Sequence, residues 1–188
     1  GLITGTSTLD LSAKSLDSSK QGEVSAKGDL SVRVAKLIQQ QGALIGEAGV
    51  ALDLLGGSLD NRGGLISAVG PLRIDNLKAL NNSQGGELFS KQSYVLAAET
   101  VNNSNGGRLI SADTLGLEAQ TIRNDQGGLI SGWEGLAIKG TSLNNSAKGT
   151  LSSKNGELSV ELSGLLDNRD EGALVSHGNQ RVASRELL

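Results

Sequence analysis

The chain has no cysteine, no methionine, one proline, one histidine and three aromatic residues, Phe89, Tyr94 and Trp133, in 188 positions. Without cysteine there is no disulfide framework and no thiol chemistry. His177, in a Ser-His-Gly-Asn context, has no cysteine and no second histidine with which to share a metal. No residue is assigned a catalytic, cofactor-binding or metal-binding role, and no cofactor is expected. Aromatics at 2% argue against the thick core of an ordinary globular domain. They also leave no stacking platform for single-stranded nucleic acid. A net charge of −3 is too small to draw the chain to nucleic acid or a membrane surface. No apolar run reaches the length of a membrane span, and no signal peptide is present. The missing methionine predicts an excised internal segment, with any signal sequence upstream. With Pro71 alone and no charge run, nothing divides residues 1–188, which read as one continuous segment.

What is abundant is glycine, 27 residues, and it keeps a beat. Asn61, Asn82, Asn103, Asn124, Asn145 and Asn168 recur at intervals of 21, 21, 21, 21 and 23, each two positions after a Leu, Val or Ile. After the Asn come turn glycines, paired at Gly63-Gly64, Gly85-Gly86, Gly106-Gly107 and Gly127-Gly128 and single at Gly149 and Gly172. A short apolar run ending in Ser follows, then an alternating segment such as Leu72-Arg73-Ile74 or Leu115-Gly116-Leu117. Alternation with period two, bounded by Gly, Asn and Asp, marks half-buried strands. A period near 21 is too long for a heptad and too short for a helix pair, and it fits one turn of a solenoid.

Such a unit cannot close a core alone, so each coil must lay its strands on the coils before and after it. The expected fold is an all-β parallel β-helix of about nine coils, a rod of roughly 43 Å at the strand spacing of about 4.8 Å. Residues i and i+2 share a strand face, so Ile122 and Asn124 should both point inward. The Asn column is then expected to stack as a ladder, its amides bonded to one another and to turn backbone. The glycine pairs are expected to supply the positive φ of the turn. Ser67, Ser90, Ser111 and Ser131 read as one structural column, since a nucleophilic Ser would need a base. Three N-x-S sequons, starting at Asn81, Asn102 and Asn144, read as turn chemistry rather than modification sites.

The unit N-x-x-G-G-x-[LI]-x-S, followed by an alternating strand and [LVI]-x-N, resembles the repeats of filamentous haemagglutinin and related two-partner-secretion exoproteins. These include the stalks of contact-dependent inhibition effectors that deliver toxins. The pattern is regular over residues 42–176 and degenerate over 1–41, where Ser18-Ser19 and Gln39-Gln40 replace the Asn; the tail 177–188 departs from it. The resemblance implies a right-handed β-helix exported through an outer-membrane transporter partner. It further implies display as a fibre on a Gram-negative cell, with flanking repeats of the same exoprotein as neighbours.

Three functions fit such a rod. It can be a stalk giving reach and rigidity, it can bind a cell-surface receptor or glycan itself, or it can be a polysaccharide-degrading enzyme. Coils of near-constant length leave no room for the long loops of a catalytic cleft, so no enzyme is expected. Trp133, at a corner where other coils carry Asp113 or Val69, is the one residue that invites a binding role. Tyr94 stands where Leu115 stands in the next coil and is expected inside. With no polar cap before Leu2, end-to-end self-association of the segment is expected.

Overall fold

The computed structural model describes residues 1–188. It contains strands and no helix, and every strand pairing is parallel between one coil and the next. Nine strands make one continuous face: Leu2–Gly5, Glu23–Ala26, Ala43–Gly46, Leu65–Ala68, Glu87–Ser90, Arg108–Ser111, Leu129–Gly132, Thr150–Ser153 and Ala173–Ser176. The solenoid of about nine turns follows directly from the beat in the sequence. Because the strands are in register, Leu44, Ile66, Leu88, Leu109, Ile130 and Leu151 form one inward column, each fully buried. These residues belong to a single core cluster of 35.

The register divides the four serines read as one column. Ser67 and Ser131 align with Phe89 and Ile110, whereas Ser90 and Ser111 align with Ala68 and Gly132. The cause is one extra residue between glycine and serine in Gly86–Ser90 and Gly107–Ser111, which on a pleated strand reverses the face. Ser90 and Ser111 are buried at a corner and donate to the Gly70 and Gln92 carbonyls at 3.1 and 2.9 Å.

The rest of each coil changes shape along the rod. In the first four coils two short strands are separated by a turn, as with Leu30–Arg33 and Lys36–Ile38 or Leu72–Asp75 and Ala79–Asn81. In the next three, a single strand runs through: Tyr94–Asn102, Thr114–Arg123 and Gly135–Asn144. One inward corner position tracks the difference in coils two to seven. Val34, Leu54 and Leu77 fill that corner in coils two to four, whereas Ala98, Ala119 and Gly140 stand there in coils five to seven. In coils two to seven a large side chain there goes with a turn and a small one with a straight strand; the first, terminal coil keeps its turn with Ala13 at the same register.

The two shapes do not mate. Leu9, Leu30, Val50 and Leu158 donate to the carbonyls of Asp29, Gly49, Pro71 and Asn179 at 3.0, 2.9, 2.9 and 2.9 Å. The corresponding bond from Leu72 to Ser93 is missing, and no ladder joins Leu72–Asp75 to Tyr94–Asn102. On the other faces pairing continues across this joint, through Leu65↔Glu87 and Ala79↔Thr100. Pairing also runs through residues 177–188, where Gln180–Ala183 and Glu186–Leu187 lie on the preceding coil.

Candidate functional site

The most ordered polar feature is the Asn column. Asn61, Asn82, Asn103, Asn124 and Asn145 are fully buried, and Asn168 is half-buried at the end. Each amide nitrogen donates to the side-chain oxygen one coil on, at 2.7, 2.8, 2.8, 2.7 and 2.8 Å from Asn61 through Asn145. The same nitrogen reaches its own turn, as Asn103 does to Gly107 at 3.0 Å, and the neighbouring strand, as it does to Leu129 at 3.0 Å. The ladder starts imperfectly. Gln39 occupies the slot before Asn61, but its amide turns to the Leu65 carbonyl at 3.4 Å, leaving the Asn61 side-chain oxygen buried without a donor. Its own oxygen accepts from Ser18.

The glycines of each pair do different work, which corrects the expectation that both supply positive φ. Gly63, Gly85, Gly106 and Gly127 do, at 59°, 76°, 74° and 76°. Gly64, Gly86, Gly107 and Gly128 do not; they lie flat against the ladder, where a Cβ on Gly128 would sit 2.6 Å from the Asn124 side-chain oxygen. Lys148 and Glu171 replace the first glycine at φ 67° and 65°, while Gly149 and Gly172 keep the second position. Indeed a glycine precedes every strand of the nine-stranded face, from Gly1 and Gly22 to Gly172. The close approach, not the φ, is the stricter requirement.

Outside the ladder the same turn is closed in two ways. Asn81, Asn102 and Asn144 accept from the hydroxyls of Ser83, Ser104 and Ser146, each at 2.7 Å, which accounts for all three sequons. In other coils Asp60 and Asp167 pair with Arg62 and Arg169, both at 2.8 Å. Burial raises the Asp60 pKa, but hydrogen bonds from Arg62 and Gln40 outweigh it and hold the carboxyl below its usual value. Hydrogen bonds from the Arg169 side chain and backbone hold Asp167 low as well.

The surface candidates are few. Trp133 is 40% exposed, and the Lys154 ammonium sits 4.5 Å from its ring centroid, a cation–π contact. Tyr94 is buried opposite Leu115; burial pushes its phenol far above the ordinary range, and its hydroxyl makes no hydrogen bond of ordinary geometry. His177 is exposed on the last coil, and no cluster of three or more His, Asp or Glu side chains could hold a metal. The missing ladder below Tyr94 opens an outward groove of about 730 Å³. Val95, Gly116, Ala137 and Ser159 form its floor, and Glu134 and Glu157 stand on one wall. Nothing in the sequence signals this groove except the switch from Leu77 to Ala98 at the corner.

A family model described as haemagglutinin repeat matches residues 3–185. No curated protein and no solved structure matches the chain.

Proposed function

The chain belongs to the haemagglutinin-repeat family, and from that premise we propose that it is a length-giving stalk segment of a secreted, surface-displayed bacterial exoprotein. Haemagglutinin repeats form a structural, adhesin-type module rather than an enzyme family. In the proposed setting an outer-membrane transporter of the two-partner type exports the parent chain, and flanking repeats extend the rod on a Gram-negative cell. A toxin-delivery parent of the contact-dependent inhibition kind fits the same stalk.

The observation that carries this reading is the unbroken Asn ladder with its glycine column. From Asn61 to Asn168 each coil's amide meets that of the next, so length is gained by repetition without new chemistry. An in-frame deletion of residues 22–41 tests it, because Gln21 then joins Gly42 with every inward column in step. Export and adhesive or inhibitory activity of the parent protein should persist, with the fibre shorter by about 4.8 Å. Loss of activity with normal surface display would reject the stalk reading.

A second reading, that the segment itself binds a receptor or glycan, draws its support from the groove at the joint and from the half-exposed Trp133 near it. Under that reading Trp133→Ala abolishes adhesion while display stays normal; under the stalk reading it changes neither.

A further inference from the structure

We propose that the outer surface of the nine-stranded face is a lateral self-association surface, and that its partner is a second copy of this chain packed antiparallel against it. The inference stands on that face alone and does not depend on the stalk reading.

On each strand of the face the first and third residues point outward, since the second belongs to the buried column. Outward positions of a solvated sheet are ordinarily polar. Here Ile45, Leu65, Phe89, Ile110 and Leu129 occupy them in five successive coils. Ile110 is 6% exposed, yet it is the one buried apolar residue that lies outside the core cluster. It is shielded by its outward neighbours rather than by the interior. Leu65, Phe89 and Leu129 likewise make no part of the core or of the residues packed on it.

The order of these residues identifies the partner. Along the rod the outward pairs run Leu65 and Ser67, Glu87 and Phe89, Arg108 and Ile110, Leu129 and Ser131. Over these four coils this is a palindrome in chemical type, with opposite charges at its centre; outside them the mirror ends, since Ile45 would face Ser152 and Val175 would face Ser25. A two-fold axis lying along the strands, midway between Glu87–Ser90 and Arg108–Ser111, turns a second copy end over end onto the first. Leu65 then faces Leu129 of the second copy, Ser67 faces Ser131, Phe89 faces Ile110 and Glu87 faces Arg108. Within one copy Glu87 and Arg108 already pair at 3.3 Å. The two pairs close into a square of alternating charge. A two-fold along the rod axis would instead set Glu87 on Phe89 and Arg108 on Ile110, burying charge against apolar groups. The isologous antiparallel arrangement is the one the residues satisfy.

Area sets the strength. About the two-fold along the strands eight of the nine strands overlap, and at about 4.8 Å apart and about 13 Å long they give a footprint of roughly 500 Å² per copy. That is below the roughly 800 Å² per partner of a standard stable interface, so one segment should dimerise weakly. Rods that repeat the face would gain by multivalency.

Sedimentation velocity over a concentration series tests the pairing. The unaltered chain should show a reversible dimer at high concentration, and Phe89→Asp should weaken it at least tenfold while circular dichroism stays the same. Glu87→Arg and Arg108→Glu should each lose the dimer alone, because like charges then meet. An equimolar mixture of those two variants should recover it as a heterodimer. Since the chain has no cysteine, orientation is readable with a short bifunctional thiol cross-linker that spans the roughly 10 Å between packed sheets: Ala43→Cys should link to Thr150→Cys in a mixture, and not to itself. A chain that stays monomeric at all concentrations overturns the proposal. So does a dimer indifferent to these charges, which would assign association to the rod ends, or an Ala43→Cys homodimer, which would make the packing parallel. None of these outcomes bears on the 22–41 deletion.

Discussion

Replacing Asn124 by leucine tests the ladder where it is complete on both sides. The Asn124 amide accepts from Asn103 at 2.8 Å and donates to Asn145 at 2.7 Å and to the Gly128 and Thr150 carbonyls at 3.1 Å each. Leucine is more hydrophobic and of similar bulk, so simple burial favours it by up to about 1.5–3 kcal/mol. Two effects oppose that gain. The Asn145 side-chain oxygen loses its donor in a fully buried site, a cost of about 1–3 kcal/mol. Asn103 fares better, since the Gly107 and Leu129 carbonyls still accept its two hydrogens. The second cost is shape. The planar amide lies against Gly128, where a Cβ would already be 2.6 Å from the Asn124 oxygen, and the branched leucine tip must overpack that contact by about 1–3 kcal/mol. The balance is a net loss of about 2 kcal/mol, or about 4–8 °C in Tm for a chain of this size. Thermal unfolding followed by far-UV circular dichroism measures it. An unchanged or higher Tm would refute the reasoning, because it would mean that the ladder's amides contribute nothing beyond filling space.

Gly128→Ala should destabilise far more than Gly127→Ala, since a Cβ at 128 strikes the ladder while 127 faces open space and pays only for its φ of 76°; equal losses in denaturant midpoint would contradict this. Gln39→Asn should stabilise by about 1 kcal/mol by giving the orphaned Asn61 oxygen a donor, and a lowered urea midpoint would show that the Gln39 contacts to Ser18 and Leu65 matter more. Asp17, Asp53, Asp60 and Asp167 all have folded pKa values below the ordinary carboxyl value. Their contribution is therefore present above about 3.9, the unfolded value, and is lost as pH falls through the lower folded values. Stability should be level from neutrality to about pH 5 and fall below about pH 4; a main loss above about pH 5 would contradict the assignment to these carboxylates.

The inward half of this structure was legible because every coil solves the same packing problem with the same residues. Asn at a fixed spacing and alternating Leu, Ile and Val are enough to give strands, stacking and coil number. The division of labour within Gly63-Gly64 was not legible, because both conformational freedom and close approach select glycine; only coils with Lys148-Gly149 and Glu171-Gly172 separate the two. The serine columns were misread because a one-residue shift on a strand reverses the face while leaving the motif looking intact. The joint between Leu72–Asp75 and Tyr94–Asn102 was hidden for a different reason. It arises from one corner position, Leu77 against Ala98, whose size matters only once neighbouring coils must mate.

The contrast between inward and outward columns also weighs on the self-association surface. Leu44, Ile66, Leu88, Leu109, Ile130 and Leu151 repeat one chemical type without any symmetry, because folding asks the same of each coil. Folding asks nothing comparable of Leu65, Phe89, Ile110 and Leu129, which touch no part of the core. Apolar residues there add a half-buried patch to the outer surface, and such patches invite association. The ladder on that face would form as well with threonine or serine, as Thr150 and Ser152 show in the eighth coil. A sequence constrained only by its core would therefore scatter these positions. In the four central coils, apolar groups that flank a Glu87–Arg108 pair and are mirrored about it answer a requirement that lies outside the coil; Ile45 and Val175, farther out on the face, do not share the mirror. A second identical rod, turned end over end, is the partner that meets that requirement at every one of the four positions.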